Sequence, residues 1–206
     1  MTTTVAAEGI GSWIEKASRE SLKGQIDLPF TREHLAIYFA AVSFTKGAEI
    51  GVERGHFSKV LLEWNPNLYL ICVDAWQPYG GYREHVSAEK LFGFYHETVE
   101  LLTGLGNFSL VQAFSVDAAP RYPDGSLDFV YIDAAHDLPN VIADLAAWAP
   151  KVRAGGIVSG HDYLRKKGNV QFHVKDAVNA WVSAYDIDPL FILRGDRSPS
   201  WFYVKR

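Results

Sequence analysis

Cysteine is nearly missing from this chain: Cys72 is the only one in 206 residues. One thiol excludes both an internal disulfide framework and a multi-cysteine zinc site. It lies within the apolar run LYLICVD, where a buried, inert thiol is expected. Positive charge is also in short supply. Twenty Lys and Arg stand against 24 Asp and Glu, for a formal net charge of −4, so the clustered basic footprint of a nucleic-acid binder is absent. The run Arg165-Lys166-Lys167 is too short to change this and reads as a solvated loop. No stretch reaches the roughly 18 to 20 uninterrupted apolar residues of a membrane span. The start, MTTTVAAEGIGSW, has neither the basic region nor the apolar core of a secretory signal. A soluble, cytoplasmic protein is expected. There is no repeat, low-complexity tract or Pro/Gly-rich linker, so residues 1–206 read as one domain, 48% hydrophobic and long enough for a sizeable core.

What the chain does contain is alternation. Residues 1–45 read as a helical lead-in, and 46–206 as a core in which strand-like and helix-like runs take turns. GAEIGV, LYLICVD, FSLVQAF, LDFVYID and GGIVSG read as strands. Helical segments such as HFSKVLLEW, NVIADLAAWAPKV and HVKDAVNAWVSA lie between them. Such a pattern predicts an α/β fold, a mostly parallel sheet with helices on both faces. The last two strands, PLFILRG and SWFYVKR, are joined by a turn too short for a crossover, so they must run antiparallel. Seven strands are expected in all.

In such a sheet ligands bind beyond the carboxyl ends of the strands. The first strand leads through Gly51 and Gly55 into a helix, a turn that could face an anion or could be plain punctuation. The spacing is not the G-x-G-x-x-G of dinucleotide folds. The second strand ends on Asp74, which suits a ribose diol or a cap. At the third, Phe114 offers a face for a base, and Ser115 a donor or a helix cap. The fourth strand stops on Asp133, with His136 three residues on, and the fifth runs into His161 and Asp162. Core-building alone would not collect acids and imidazoles on one edge, so a site is expected there. Of the other histidines, His34, His85, His96 and His173 fall in helical runs and read as surface or packing residues, and His56 reads as a helix start.

The ordered segments AEIGVERGHFS, ICVDAW, AFSVDAA and LDFVYIDAAHDLPNVIADLAAWAPKVRAGGIVSGHDY resemble class I S-adenosylmethionine-dependent methyltransferases. The compact branch that includes catechol and macrolide-sugar O-methyltransferases is the most similar. The resemblance spans roughly residues 46–206 and implies a Rossmann-like sheet with an antiparallel C-terminal hairpin. It implies S-adenosylmethionine as cofactor, with Glu49, Gly51, Glu53 and Gly55 around the methionine moiety, Asp74 on the ribose, and Ala75, Phe114 and Ser115 around the adenine. Glu53 departs from the pattern, standing where a middle glycine is common. Asp133 is expected at the cofactor's reactive end, facing the acceptor, as a cofactor-binding and catalytic residue, and His136 falls where the branch carries its base. Asp133, His161 and Asp162 fall where it often holds a divalent cation, here Mg²⁺ or, given an imidazole, Mn²⁺.

Methyl transfer to a hydroxyl needs positioning and a route for the proton, and an imidazole is suited to take it. The expected acceptor is a small molecule: a sugar, a phenol or a natural product. The aromatic, glycine-broken segment AWQPYGGYREH, with Trp76, Tyr79 and Tyr82, would serve as a flap over it or pack on a neighbouring subunit. A homo-oligomer therefore stays open. Two alternatives also stand on these residues. One is a nicotinamide-dependent Rossmann oxidoreductase, with Asp74 on the NAD ribose; the other is a non-catalytic protein that keeps the cofactor pocket.

Overall fold

Period-two alternation within the strands sends successive side chains to opposite faces of the sheet. Here both faces are apolar, which requires a helical layer on each side. The computed structural model describes residues 2–78 and 87–206. In chain order the elements are α1 (Thr2–Arg19), β1 (Gln25–Leu28), α2 (Arg32–Ala41), β2 (Lys46–Ile50), α3 (His56–Trp64) and β3 (Tyr69–Asp74). Then come α4 (Ala88–Leu102), β4 (Asn107–Gln112), α5 (Ser115–Ala118), β5 (Leu127–Ile132), α6 (Leu138–Trp148) and β6 (Val152–Gly160). A two-strand ribbon, β7 (Lys166–Lys167) and β8 (Val170–Gln171), precedes α7 (Val174–Ala184), β9 (Leu190–Leu193) and β10 (Ser200–Val204). Tyr79, Tyr82 and His85 lie outside the described residues.

The main sheet has the order β1-β9-β10-β6-β5-β2-β3-β4. Only β10 runs against its neighbours, pairing antiparallel with both β9 and β6, so the terminal hairpin is as expected. Phe129, Tyr131, Leu70 and Cys72 enter one core with residues of α1 to α4. Val130, Ile132, Ile71 and Val73 enter the other, with residues of α6 and α7. Cys72 is fully buried, as its apolar run predicts.

The sheet has eight strands rather than seven. The additional one is β1, a strand that the helical lead-in expected for residues 1–45 did not include: it pairs parallel with β9, from Gln25 beside Leu190 to Leu28 beside Leu193. Four residues at a sheet edge, with Leu28 alone buried, give too little alternation to register as a strand. Long-range polar contacts fasten this segment. The Gly24 amide donates to Asp188 Oδ1 at 2.7 Å and the Arg32 amide to Asp196 Oδ2 at 2.8 Å. Arg32 thereby starts α2 beside the β9–β10 loop.

Strand order reverses between β2 and β5: β3 and β4 lie to one side of β2, while β5 lies to the other. This switch point opens a crevice at the carboxyl ends of β2 and β5. Its closure depends on Gly51, at φ +87°. The Gly51 amide donates to Val73 O at 2.8 Å, and Asp133 N donates to Ile50 O at 2.7 Å. A Cβ at position 51 would lie 2.1 Å from the Asp133 carbonyl oxygen and 2.6 Å from Ala134 Cα. Both obstacles are backbone, so neither can rotate away.

Gly51→Ala is therefore expected to lower stability by about 1–3 kcal/mol from backbone strain alone, with the clash adding to it. A urea midpoint equal to wild type would show that the two strand ends can separate freely.

Candidate active site

A cavity of about 350 Å³ runs along the carboxyl edge of the sheet, within the range of small-ligand sites. Asp133 lies at one end, over β5; Asp74 is in the middle, over β3; Ala113 to Val116 form the far end, after β4. Seven of the residues the sequence marks for the cofactor line it: Gly51, Glu53, Asp74, Ala75, Phe114, Ser115 and Asp133. Two others do not. Gly55 is the N-cap of α3 at φ +75°, where it is needed for the turn. Glu49 is 2% exposed on the opposite side of its strand, where the Ser58 hydroxyl donates to its carboxyl and Cys72 lies beyond. Alternation explains the correction: Ile50 reaches the cavity, so Glu49 must face the other core. Burial, beside the charges of Asp133 and Asp74, pushes its carboxyl up to about 8.

Asp74 organises the loop after β2. Its Oδ2 accepts from the Val52 and Glu53 amides at 3.0 and 2.9 Å, and its Oδ1 from Trp76 N at 2.8 Å. Burial raises its pKa, and these amides oppose the rise. Glu53, at φ +52°, occupies the left-handed position where a glycine is easier. Its carbonyl accepts from Trp76 Nε1 at 2.8 Å and from the Thr98 hydroxyl at 3.2 Å, which holds the strained turn in place. Trp76 is thus a buried packing residue on the cavity wall as well as an aromatic surface.

Ser115 does not cap α5; Phe114 holds that position. The Ser115 hydroxyl instead accepts from Trp148 Nε1 at 2.9 Å, tying α5 to α6. The cap of α6 is Asp137, whose Oδ1 accepts from the Asn140 amide at 3.2 Å. In the run from Asp133 to Asp137 the capping task therefore falls to the second aspartate, and the first is free for the site.

Asp133, His136, His161 and Asp162 converge. His136 Nε2 is 3.2 Å from Asp162 Oδ2 and 3.8 Å from Asp133 Oδ1. His161 Nδ1 is 3.4 Å from Asp133 Oδ2 and 3.7 Å from Asp162 Oδ1. The His136 ring packs on Phe172 with centroids 4.3 Å apart, and its carbonyl accepts from His173 N at 2.8 Å. Burial alone would raise both aspartates, but hydrogen bonds from His136 and the charge of His161 hold both below the usual carboxylate range. The trio whose ligand atoms can share one ion is Asp133, His136 and Asp162, all within 4.8 Å of one another. The imidazole in that trio is His136, not the His161 marked from the sequence. Two carboxylates and an imidazole form a donor set that fits Mn²⁺, Fe²⁺ or Zn²⁺ better than Mg²⁺.

Three further residues reach the cavity or its acid cluster without having been singled out. Arg32, from α2, lies 3.7 Å from Asp133 Oδ2 and over the Phe57 ring at 4.9 Å. No local pattern could announce a contact across so much chain. Lys167, expected in a solvated loop, lies on the β7–β8 ribbon 3.3 Å from Asp162 Oδ1. Asp144 is 4% exposed and lines the cavity. It carried a usable signal, since it shares the buried face of α6 with Val141, Leu145 and Trp148, where an acid is out of place.

A family model described as "Methyltransferase domain" matches residues 48–163. No curated protein matches the chain's sequence. Among solved structures, an O-methyltransferase from Bacillus cereus in complex with S-adenosylhomocysteine is similar, with TM-score 0.59 and 14% identity over 84% of this chain and 80% of that one. The O-methyltransferase TomG from Streptomyces achromogenes, in complex with S-adenosylmethionine and involved in tomaymycin synthesis, gives 0.60 and 13% over 84% and 79%. An rRNA methylase from Streptococcus thermophilus gives 0.59 and 12% over 86% and 98%. No described helix is long and apolar enough to cross a membrane.

The buried Glu49 carboxyl gives a pH signature. Its folded pKa, about 8, is raised from 4.5. The stability it contributes is full below about pH 4.5 and is lost as pH rises through about 8. Between about pH 4.5 and 8 the wild type should lose melting temperature, and Glu49→Gln, which cannot ionise, should lose markedly less. Parallel melting curves for the two would show that Glu49 is not the group responsible.

Proposed function

Since the chain belongs to the methyltransferase-domain family and has the class I S-adenosylmethionine-dependent fold, we propose that it methylates a hydroxyl of a small molecule. One observation carries the reading: the acid and imidazole cluster stands at the end of a cavity that runs past Asp74 to the far wall at Ser115. A long ligand with a ribose in its middle would place its reactive end beside Asp133. Gly51 supports this fit, because the space a Cβ would fill there lets the two strand ends close under the ligand. The family model favours methyl transfer over the nicotinamide alternative.

Bound S-adenosylmethionine supplies an electrophilic methyl on a sulfonium. A hydroxyl held beside Asp133 would have to give up its proton on taking that methyl, so the site needs a base. We assign that role to His136: its Nε2 lies 3.2 Å from Asp162 Oδ2, an ion partner for the imidazolium that would form, so the proton would be taken on Nδ1. Asp133, with Arg32 3.7 Å away, would keep a negative charge at the end where the sulfonium would sit. The grouping of Asp133, His136 and Asp162 supports a second reading, in which they hold a divalent cation that lowers the hydroxyl's pKa. The formal charge of −4 favours a small acceptor over RNA, although an rRNA methylase shares the fold.

Calorimetry should detect S-adenosylmethionine and S-adenosylhomocysteine binding; a folded sample that binds neither would remove the proposal. His136→Ala should leave that affinity nearly unchanged and reduce turnover by roughly 10²- to 10⁴-fold. Equal loss of cofactor binding would mark His136 as structural. If EDTA abolishes wild-type turnover and Mn²⁺ or Mg²⁺ restores it, the cation reading replaces the imidazole base.

A further inference from the structure

Most groups at the acid cluster stand on firm elements. Asp133 follows β5, Arg32 opens α2, and the His136 ring packs on Phe172. The β7–β8 ribbon is different. It pairs two residues with two, Lys166 with Gln171 and Lys167 with Val170, and all four are exposed. A two-stranded hairpin of that size has little stability of its own. Yet Lys167 turns inward from it. Its Nζ donates to Asp162 Oδ1 at 3.3 Å and lies 5.7 Å from the centroid of Phe172, the ring that packs on His136. The lysine side chain is 52% exposed and the aspartate side chain 5%, so a buried carboxylate is matched by a cation that reaches it from solvent. Lys166, one residue earlier on the same strand, takes the opposite face by alternation.

Asp162 is also one of the three residues whose ligand atoms can share an ion. Resting on the cation reading of that trio, a divalent ion and the Lys167 ammonium draw on the same carboxylate and repel each other. The carboxylate cannot move aside to serve both. It is buried, and the next residue is pinned where Tyr163 N donates to Pro199 O at 2.9 Å. The lysine, long and half in solvent, is the partner that can leave. We propose that Lys167 determines which cations the cluster takes: its ammonium is a tethered competitor for Asp162, and a divalent ion binds only as the ribbon releases it. When the ion is scarce, the ammonium keeps Asp162 from standing as an uncompensated buried charge. When the ion is plentiful, its two charges displace the one.

Mn²⁺ titrated into the protein, and read by loss of the free ion's paramagnetic resonance signal, measures this competition without turnover. Lys167→Gln should bind Mn²⁺ about 3- to 30-fold more tightly than wild type, a span from an exposed ion pair to a hydrogen bond between charged groups. Lys167→Arg, which keeps the charge, should stay close to wild type. Lys166→Gln removes the same charge from the ribbon's other face and should change little, which separates competition at Asp162 from the general field of a basic loop. In an Asp162→Asn background the Lys167 substitution should have no effect, because the shared ligand is gone. Binding of S-adenosylhomocysteine by calorimetry confirms that each variant is folded. Equal Mn²⁺ affinity in wild type and Lys167→Gln, an equal gain in Lys166→Gln, or a gain that persists with Asp162→Asn overturns the assignment and leaves the cation reading standing. If neither wild type nor Lys167→Gln binds Mn²⁺ while both bind S-adenosylhomocysteine, the cation reading falls with it and the methyltransferase reading stays.

Discussion

At the reversal of strand order, the backbone of Gly51 lies against the backbone of Asp133, with no room for even a methyl group between them. Everything useful in the cavity is referenced to that contact. It sets the distance between the loop that Asp74 holds and the strand end that delivers Asp133. It also places His136 over β6, within reach of Asp162. The price is a glycine in the left-handed region followed by a non-glycine, Glu53, in the same region. Asp74 and the amides it accepts from offset that strain locally. A single carboxylate thus holds the turn and forms the middle of the cavity wall.

The acids of this molecule divide according to what faces them, not according to depth. Asp133 and Asp162 meet histidines and cations and stay ionised. Glu49 and Asp144 meet hydroxyls and are pushed toward neutrality.

Most of the architecture was legible because strands buried on both faces leave long apolar runs, and their abrupt ends mark the functional edge. Asp133 stood out for that reason. The acid at the end of LYLICVD did too, and it lines the cavity. Glu49 was misplaced because proximity to Gly51 in sequence says nothing about which face a strand residue takes; its two-residue periodicity does. β1 escaped notice because four edge residues carry almost no pattern. Arg32 and Lys167 escaped because their roles depend on contacts that only the fold creates. The choice of His136 over His161 as the third member of the acid cluster turns on where the folded chain places the ring nitrogens, which no spacing encodes.

The strand at residues 25–28 ties the start of the chain to its last structured part. β1 can pair only once β9 exists, and the amides of Gly24 and Arg32 find their acceptors 164 residues later. Closing so long a loop is entropically costly and slow compared with local helix formation. On a ribosome, the central strands β2 to β5 can assemble while β1 still has no partner. Arg32 takes its position over Asp133 only after residue 196 has emerged. A chain cut short before residue 196 would hold much of the sheet, yet the Arg32 amide would lack its acceptor at the reactive end of the cavity.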